Sequence, residues 1–122
     1  MKAYIFAALP AAAFVIASPA AGAQLGSYND PAPGASSLMH SDFANAEREI
    51  RGANVAANDP ARAINLGIAL AKTGRKDEAA QQFRSVLMQD DVEMVVADGQ
   101  TVTSHALAER ALASLQNGVL SH

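Results

Sequence analysis

The chain has 122 residues, a formal net charge of −3 and no cysteine, and this length suits one small domain. Hydrophobic residues make up 50% of the chain but aromatic residues only 5%, and an alanine-rich composition of this kind favours packed helices. The absence of cysteine excludes disulfides, cysteine-ligated zinc and a lipoprotein-type anchor. The weak negative charge argues against a nucleic-acid partner, because such proteins need a basic face.

Residues 1–23 have the pattern of a secretory signal peptide. Lys2 precedes an apolar stretch, and small residues at positions 21–23 suit recognition by a signal peptidase. The alternative is a membrane anchor, but a spanning helix needs about 20 apolar residues, and two prolines interrupt this stretch. We therefore exclude the segment from the predicted fold. We expect cleavage after Ala23, a periplasmic or secreted location, and no stable membrane insertion after cleavage.

Residues 24–41 are rich in serine, proline and glycine. A segment of this composition buries too little apolar surface to offset its conformational entropy, so it is predicted to be a flexible linker. A spacer is the favoured role for it, and a short recognition segment is the alternative.

Three predicted helices follow, and each has its own start or stop signal. The first covers residues 42–58, with Asp42 as a suitable N-cap. The second starts at an Asp-Pro pair at positions 59–60, which supplies a cap and a proline for the first turn, and it ends at Gly74. The third covers residues 76–88 and has acidic residues in its first turn.

After these helices the apolar residues alternate instead of recurring every three or four positions. Two β-prone runs within residues 92–103 flank an Asp-Gly pair, which predicts a β-hairpin with a two-residue turn. Ser104 is a suitable cap for a last helix over residues 104–117. The predicted fold class is therefore mainly α, an antiparallel helix-hairpin unit with a C-terminal β-hairpin and a capping helix.

Small and large apolar residues stand at characteristic intervals in residues 60–91, namely Leu66, Gly67, Leu70, Gly74, Ala79 and Phe83. This spacing resembles the signature of the tetratricopeptide repeat (TPR) family, and the chain also matches itself at an offset of 33 residues, close to the family period of about 34. Gly67 and Ala79 are small enough for two helices to cross closely, with Phe83 filling the gap between them.

The resemblance implies one full TPR-like repeat over residues 60–91, preceded by a half repeat over residues 42–58. Three positions depart from the family preference: Ala63 replaces a large aromatic residue, Leu70 a tyrosine and Asp91 a proline. About three repeats are normally needed to bury a continuous core. We therefore expect the hairpin and the last helix to cover the open face of the repeat, or else two chains to pack together as a homodimer.

No pattern typical of catalysis or of metal binding is found. The three histidines lack metal-ligand spacing, and the acidic cluster at residues 90–93 is interpreted as a solvated helix end rather than a cation site. Ser104 and His105 are interpreted as a helix cap followed by an exposed histidine, not as a nucleophile and its base. We predict a protein that is not an enzyme and has no cofactor or metal.

The TPR resemblance implies peptide binding on the concave face formed by the first helix of each repeat. On this chain the predicted partner-binding residues are Arg62, Asn65, Ile68 and Lys72. Asn65 stands where peptide-binding members carry an asparagine that holds the ligand backbone, and an amide can both donate and accept. Lys72 is placed to meet a carboxylate. The alternative is that the polar residues only form the wet face of a partly buried helix.

The predicted function is a non-catalytic protein–protein interaction module of the bacterial periplasm. It would bind a peptide or protein segment on the face of Asn65 and Lys72, or against stripe residues such as Phe43 and Ile50. One alternative is a structural envelope protein that self-associates through its incomplete repeat stack. The other is a weak stress-related holdase that binds apolar segments loosely.

Overall fold

The structure, a computed structural model, describes residues 14–17 and 32–120. These residues form five α-helices and one antiparallel sheet with the strand order β1-β2-β3. In chain order the elements are β1 (Val15–Ala17), α1 (Ala35–Met39), α2 (Phe43–Arg51), α3 (Pro60–Lys72), α4 (Lys76–Leu87), β2 (Glu93–Val96), β3 (Thr101–Thr103) and α5 (Ser104–Gln116). The prediction of a mainly helical fold is confirmed.

Much of the predicted N-terminal organisation lies outside the described residues. This applies to the signal peptide except for residues 14–17, including its cleavage position, and to residues 24–31 of the predicted linker. Among the helices of the described ranges, none has the length and apolar character needed to cross a bilayer.

The central helix α3 begins and ends where its capping residues predict. The Arg62 N–H donates to the Asp59 carboxylate at 2.9 Å, and Pro60 occupies the first turn. At the other end Gly74 adopts a left-handed φ of 86°, and the Arg75 N–H donates to the Leu70 carbonyl at 2.9 Å. This is the Schellman arrangement, which satisfies carbonyls at the end of a helix.

Helix α2 is shorter than predicted. Its N-cap is Asp42, as expected, and the Asn45 N–H donates to the Asp42 carboxylate at 3.3 Å. The helix ends at Arg51 with Gly52 as its C-cap, rather than at residue 58. Glycine disfavours helix continuation, and residues 54–58 are exposed, so no buried apolar face stabilises a further turn.

Helices α3 and α4 pack closely, as the small residue at position 67 predicts. A Cβ atom added to Gly67 would lie 2.5 Å from Cε1 of Phe83, whose side chain is fully buried. Helix α3 also packs against α2, α5 and β1, and ten of its thirteen residues are buried. It is therefore the core helix around which the other elements are arranged.

The β-hairpin is present, but its turn differs from the prediction. The Gly99 N–H donates to the Val96 carbonyl at 2.8 Å, and the Val96 N–H donates to the Gln100 carbonyl at 3.0 Å. Residues 97–99 therefore form a three-residue loop, and the prediction of a two-residue turn is wrong. Gly99 has a left-handed φ of 89°, which is the position that such a loop reserves for glycine.

Helix α5 follows β3 directly and packs against α4, the place expected for a capping helix. Its N-cap is Thr103, whose hydroxyl accepts the Ala106 N–H at 3.3 Å, rather than Ser104. The Ser104 side chain is buried and accepts the Val92 N–H at 3.0 Å. Ser104 therefore joins the helix to the segment before β2 instead of capping it.

Residues 32–41 belong to the folded domain, in contrast to the flexible linker predicted for residues 24–41. Helix α1 lies within them, and its Ala35 and Leu38 are buried. Gly34 precedes this helix with a left-handed φ of 76°, and a Cβ there would lie 2.6 Å from Ile50. The prediction from average composition did not take account of two apolar side chains that are buried, Ala35 and Leu38, or of Gly34, whose backbone lies against α2.

Candidate functional site

Asn65 is a buried polar residue that bonds to two other segments of the chain. It lies in the middle of α3, and its side chain is fully buried at 0% exposure. Its Oδ1 accepts the Val15 N–H at 2.8 Å, and its Nδ2 donates to the Val15 carbonyl at 2.9 Å and to the Pro33 carbonyl at 3.0 Å. A single amide thus pairs with both main-chain groups of one residue, as a neighbouring strand would.

The segment held by Asn65 is β1, and its other contacts are also made by main-chain groups. The Phe14 carbonyl accepts the Ala97 N–H at 3.0 Å, and the Ile16 carbonyl accepts the Ala32 N–H at 2.9 Å. Val15 is the antiparallel partner of Val96 in β2. We call this place the strand slot, defined by Asn65, the β2 edge at residues 95–97, and residues 32–33.

The side chains of the bound segment enter the core. Phe14 is 3% exposed and Val15 is 0% exposed, and both belong to the same buried cluster as the inner faces of the helices. The exclusion of residues 14–17 from the fold is therefore at odds with the structure. These residues are apolar, as a buried strand requires, and the same apolar composition also fits a signal peptide.

The other predicted binding residues are placed differently from Asn65. Ile68 is 6% exposed and belongs to the core, whereas Arg62 and Lys72 are half-buried, in the first and last turns of α3. Of the alternative stripe residues, Ile50 is fully buried. The structure therefore leaves Arg62 and Lys72 accessible in part, while Asn65 and Ile68 face inward.

Near the start of α5, the side chains of Asp91, Ser104 and His105 each bond to a different partner, and only the Asp91 carboxylate bonds an N–H of the first helical turn. Asp91 accepts the His105 backbone N–H at 2.8 Å and the Ser104 hydroxyl at 3.3 Å. The hydrogen bond from the His105 N–H is the main cause of the lowered pKa of Asp91. The His105 ring instead donates from Nε2 to the Gln89 carbonyl at 2.6 Å, so Ser104 and His105 are not arranged as nucleophile and base.

A second polar cluster joins α2 to the turn between α3 and α4. Glu47 accepts Nε of Arg51, one helical turn further along α2, at 2.8 Å. It also accepts Nη1 of Arg75 at 3.1 Å and a second bond from Nη2. The bonds from Arg75 hold the pKa of Glu47 below its usual value, with Arg51 adding to the effect. This cluster fixes helix positions and offers no unpaired group for chemistry.

Within residues 14–17 and 32–120, no group of three or more histidine, aspartate or glutamate side chains could hold a metal ion. Comparison with protein-family models, with characterised proteins and with solved structures gave no match.

Proposed function

We propose that this protein is an exported, non-catalytic interaction module of TPR type that binds an extended segment of a partner protein in the periplasm. The observation that carries the proposal is the pair of hydrogen bonds between Asn65 and the main chain of Val15. An amide used in this way recognises an extended backbone whatever its side chains are. This is the chemistry that the TPR resemblance implies for Asn65.

The burial of Asn65 makes its hydrogen bonds energetically important. A buried amide left without hydrogen-bond partners costs about 1–3 kcal/mol. The fold is therefore most stable when main-chain groups of some segment lie next to Asn65 and bond its side chain. In the structure that backbone is the chain's own. In the proposed function a partner segment takes the same position.

The TPR-type assignment is supported by the pair α3 and α4, which are joined by the tight turn at Gly74 and packed through Gly67 against Phe83. Helix α2 precedes this pair and packs on α3, as the second helix of a preceding repeat would. Export is supported by the composition of residues 1–23.

Arg62 and Lys72 give the proposed site its charge. They lie near opposite ends of α3, three residues before and seven residues after Asn65, and both are partly accessible. A cation in the last turn of a helix is also favoured by the helix dipole. We therefore expect the partner to carry an acidic side chain or a terminal carboxylate next to its bound segment.

The test is capture of a partner by the exported protein. The 122-residue chain with a C-terminal tag is expressed in a bacterium, and periplasmic complexes are recovered after mild crosslinking. Lys72→Glu is compared with Lys76→Glu, which makes the same charge change at an exposed position in the first turn of α4. Asn65→Ala is the third variant, and thermal melting checks that each variant is folded.

The proposal predicts a protein that is captured by the parent and by Lys76→Glu but lost with Lys72→Glu and Asn65→Ala. Recovery of the same proteins by all four baits, or of none, would contradict it. A light-scattering mass of two or more chains without any partner would favour self-association instead.

A further inference from the structure

We propose that the strand slot is a β-strand-addition site for an extended peptide with an aromatic residue followed by a β-branched residue, and that residues 14–17 are its internal occupant. The occupant closes the site in the precursor chain, and its departure opens the site to a partner strand. This inference rests on the proposed function, because it names the partner class and the regulation of the same site.

The slot holds its occupant through main-chain groups on two sides. Asn65 bonds both main-chain groups of Val15, and the Ala97 and Ala32 N–H groups bond the carbonyls of Phe14 and Ile16. None of these bonds uses a side chain of the occupant. Any extended strand in the same register can therefore make them, as in the β-augmentation mode of peptide recognition.

The side-chain requirement follows from the burial of the occupant. Phe14 and Val15 are both inside the core cluster, and Ile16 is packed against it. A charged side chain at either of the first two positions would be buried without a partner. A proline at the position of Val15 would remove the N–H that Asn65 accepts. The slot therefore selects an uncharged strand with an aromatic and a β-branched residue in sequence.

An empty slot would leave several polar groups unsatisfied. The Asn65 amide would lose the two bonds that Val15 provides, and the Ala97 and Ala32 N–H groups would lose their acceptors. The β2 edge would also present unpaired main-chain groups, the kind of edge that pairs with another chain. If the signal peptide is removed after Ala23, as we propose, the exported protein is in this open state.

The experiment opens the slot in the complete chain and supplies the strand as a peptide. The double variant Phe14→Ser/Val15→Asp makes the internal occupant unsuitable without shortening the chain. The probe is a fluorescein-labelled peptide with the sequence of residues 12–18, AAFVIAS, flanked by lysines for solubility. The matched control peptide is N-methylated at the valine nitrogen only, which removes the N–H that Asn65 accepts and keeps every side chain.

We expect the double variant to bind the probe, and the N-methylated peptide to bind about 10- to 100-fold more weakly, as for loss of one buried hydrogen bond. The unsubstituted chain should bind the probe at least about 10-fold more weakly than the variant does, because its own segment competes. Equal affinity for the two peptides, or equal affinity of the two chains for the probe, would overturn the inference.

If the double variant is unfolded in the absence of the probe, circular dichroism provides the readout. Recovery of its helical signal on addition of the probe then supports the inference, and no recovery overturns it. The proposed function has a separate readout. Lys72-dependent partner capture without probe binding would overturn only this inference, whereas probe binding without any captured partner would overturn the proposed function.

Discussion

Replacing Gly67 with alanine tests the close packing of α3 against α4, which positions Asn65 two residues earlier on the same helix. The added Cβ would lie 2.5 Å from Cε1 and 2.7 Å from Cζ of Phe83, far inside the normal carbon–carbon separation of about 3.5–4.0 Å. The Phe83 ring is fully buried and cannot turn into solvent. The overpacking should therefore fall in the upper part of the usual range, about 2–3 kcal/mol.

Alanine also favours a helix over glycine by about 1 kcal/mol, so the net expectation for Gly67→Ala is a destabilisation of about 1–2 kcal/mol. For a domain of this size each kcal/mol lowers Tm by about 4–8 °C. Urea unfolding followed by circular dichroism at 222 nm measures the free energy of unfolding directly.

The matched control is Gly52→Ala. Gly52 has an ordinary φ of −91°, and the nearest atom to its added Cβ is the Arg48 carbonyl oxygen at 3.5 Å. This variant should be neutral or up to about 1 kcal/mol more stable. The double variant Gly67→Ala/Phe83→Leu should be less destabilised than the sum of the two single changes. A Gly67→Ala protein as stable as the parent would refute the packing geometry.

Two further predictions concern the polar cluster and the left-handed glycines. Since Arg75 lowers the pKa of Glu47 in the folded chain, the ionised carboxylate stabilises the fold above its usual pKa of about 4.5, and this contribution is lost as the pH falls. Glu47→Gln should therefore lower the free energy of unfolding by about 0.5–1 kcal/mol at pH 7 and by much less near pH 2, as measured by urea unfolding at both pH values. An equal loss at both pH values would contradict the role of the charge. Gly34→Ala should destabilise the fold more than Gly99→Ala does, because both glycines have positive φ but only a Cβ at Gly34 would also clash with Ile50. We expect a loss of stability of about 2–4 kcal/mol for Gly34→Ala and about 1–2 kcal/mol for Gly99→Ala, as measured by thermal melting. The reverse order would contradict this reasoning.

The helices around the site could be predicted because their signals are local. The Asp59-Pro60 start and the Gly74 end of α3 need only neighbouring residues to act, and both appear in the structure. The small size of Gly67 also predicted the close contact between α3 and α4. Helix α1 was missed because it is only five residues long and has no side-chain cap at its start, which leaves too few residues for periodicity to be visible.

The strand slot could not be predicted, because its parts come from distant positions in the chain. Val15 pairs with Val96 in the sheet and with Asn65 through the side chain, and a short apolar run gives no local sign of such partners. The same run also satisfies the pattern of a signal peptide. Asn65 was predicted to hold a backbone, but nothing in the sequence indicated that the backbone would be its own.

The most direct measurement of the central claim is hydrogen exchange at the Ala97 amide, which donates to the Phe14 carbonyl in the slot. This amide should exchange slowly in the unsubstituted chain and rapidly in the double variant Phe14→Ser/Val15→Asp. It should exchange slowly again when the AAFVIAS probe is added to the double variant. Ala106, whose amide donates to Thr103 at the start of α5, is the internal reference and should not respond. A probe that binds without protecting Ala97 would contradict strand addition at the β2 edge.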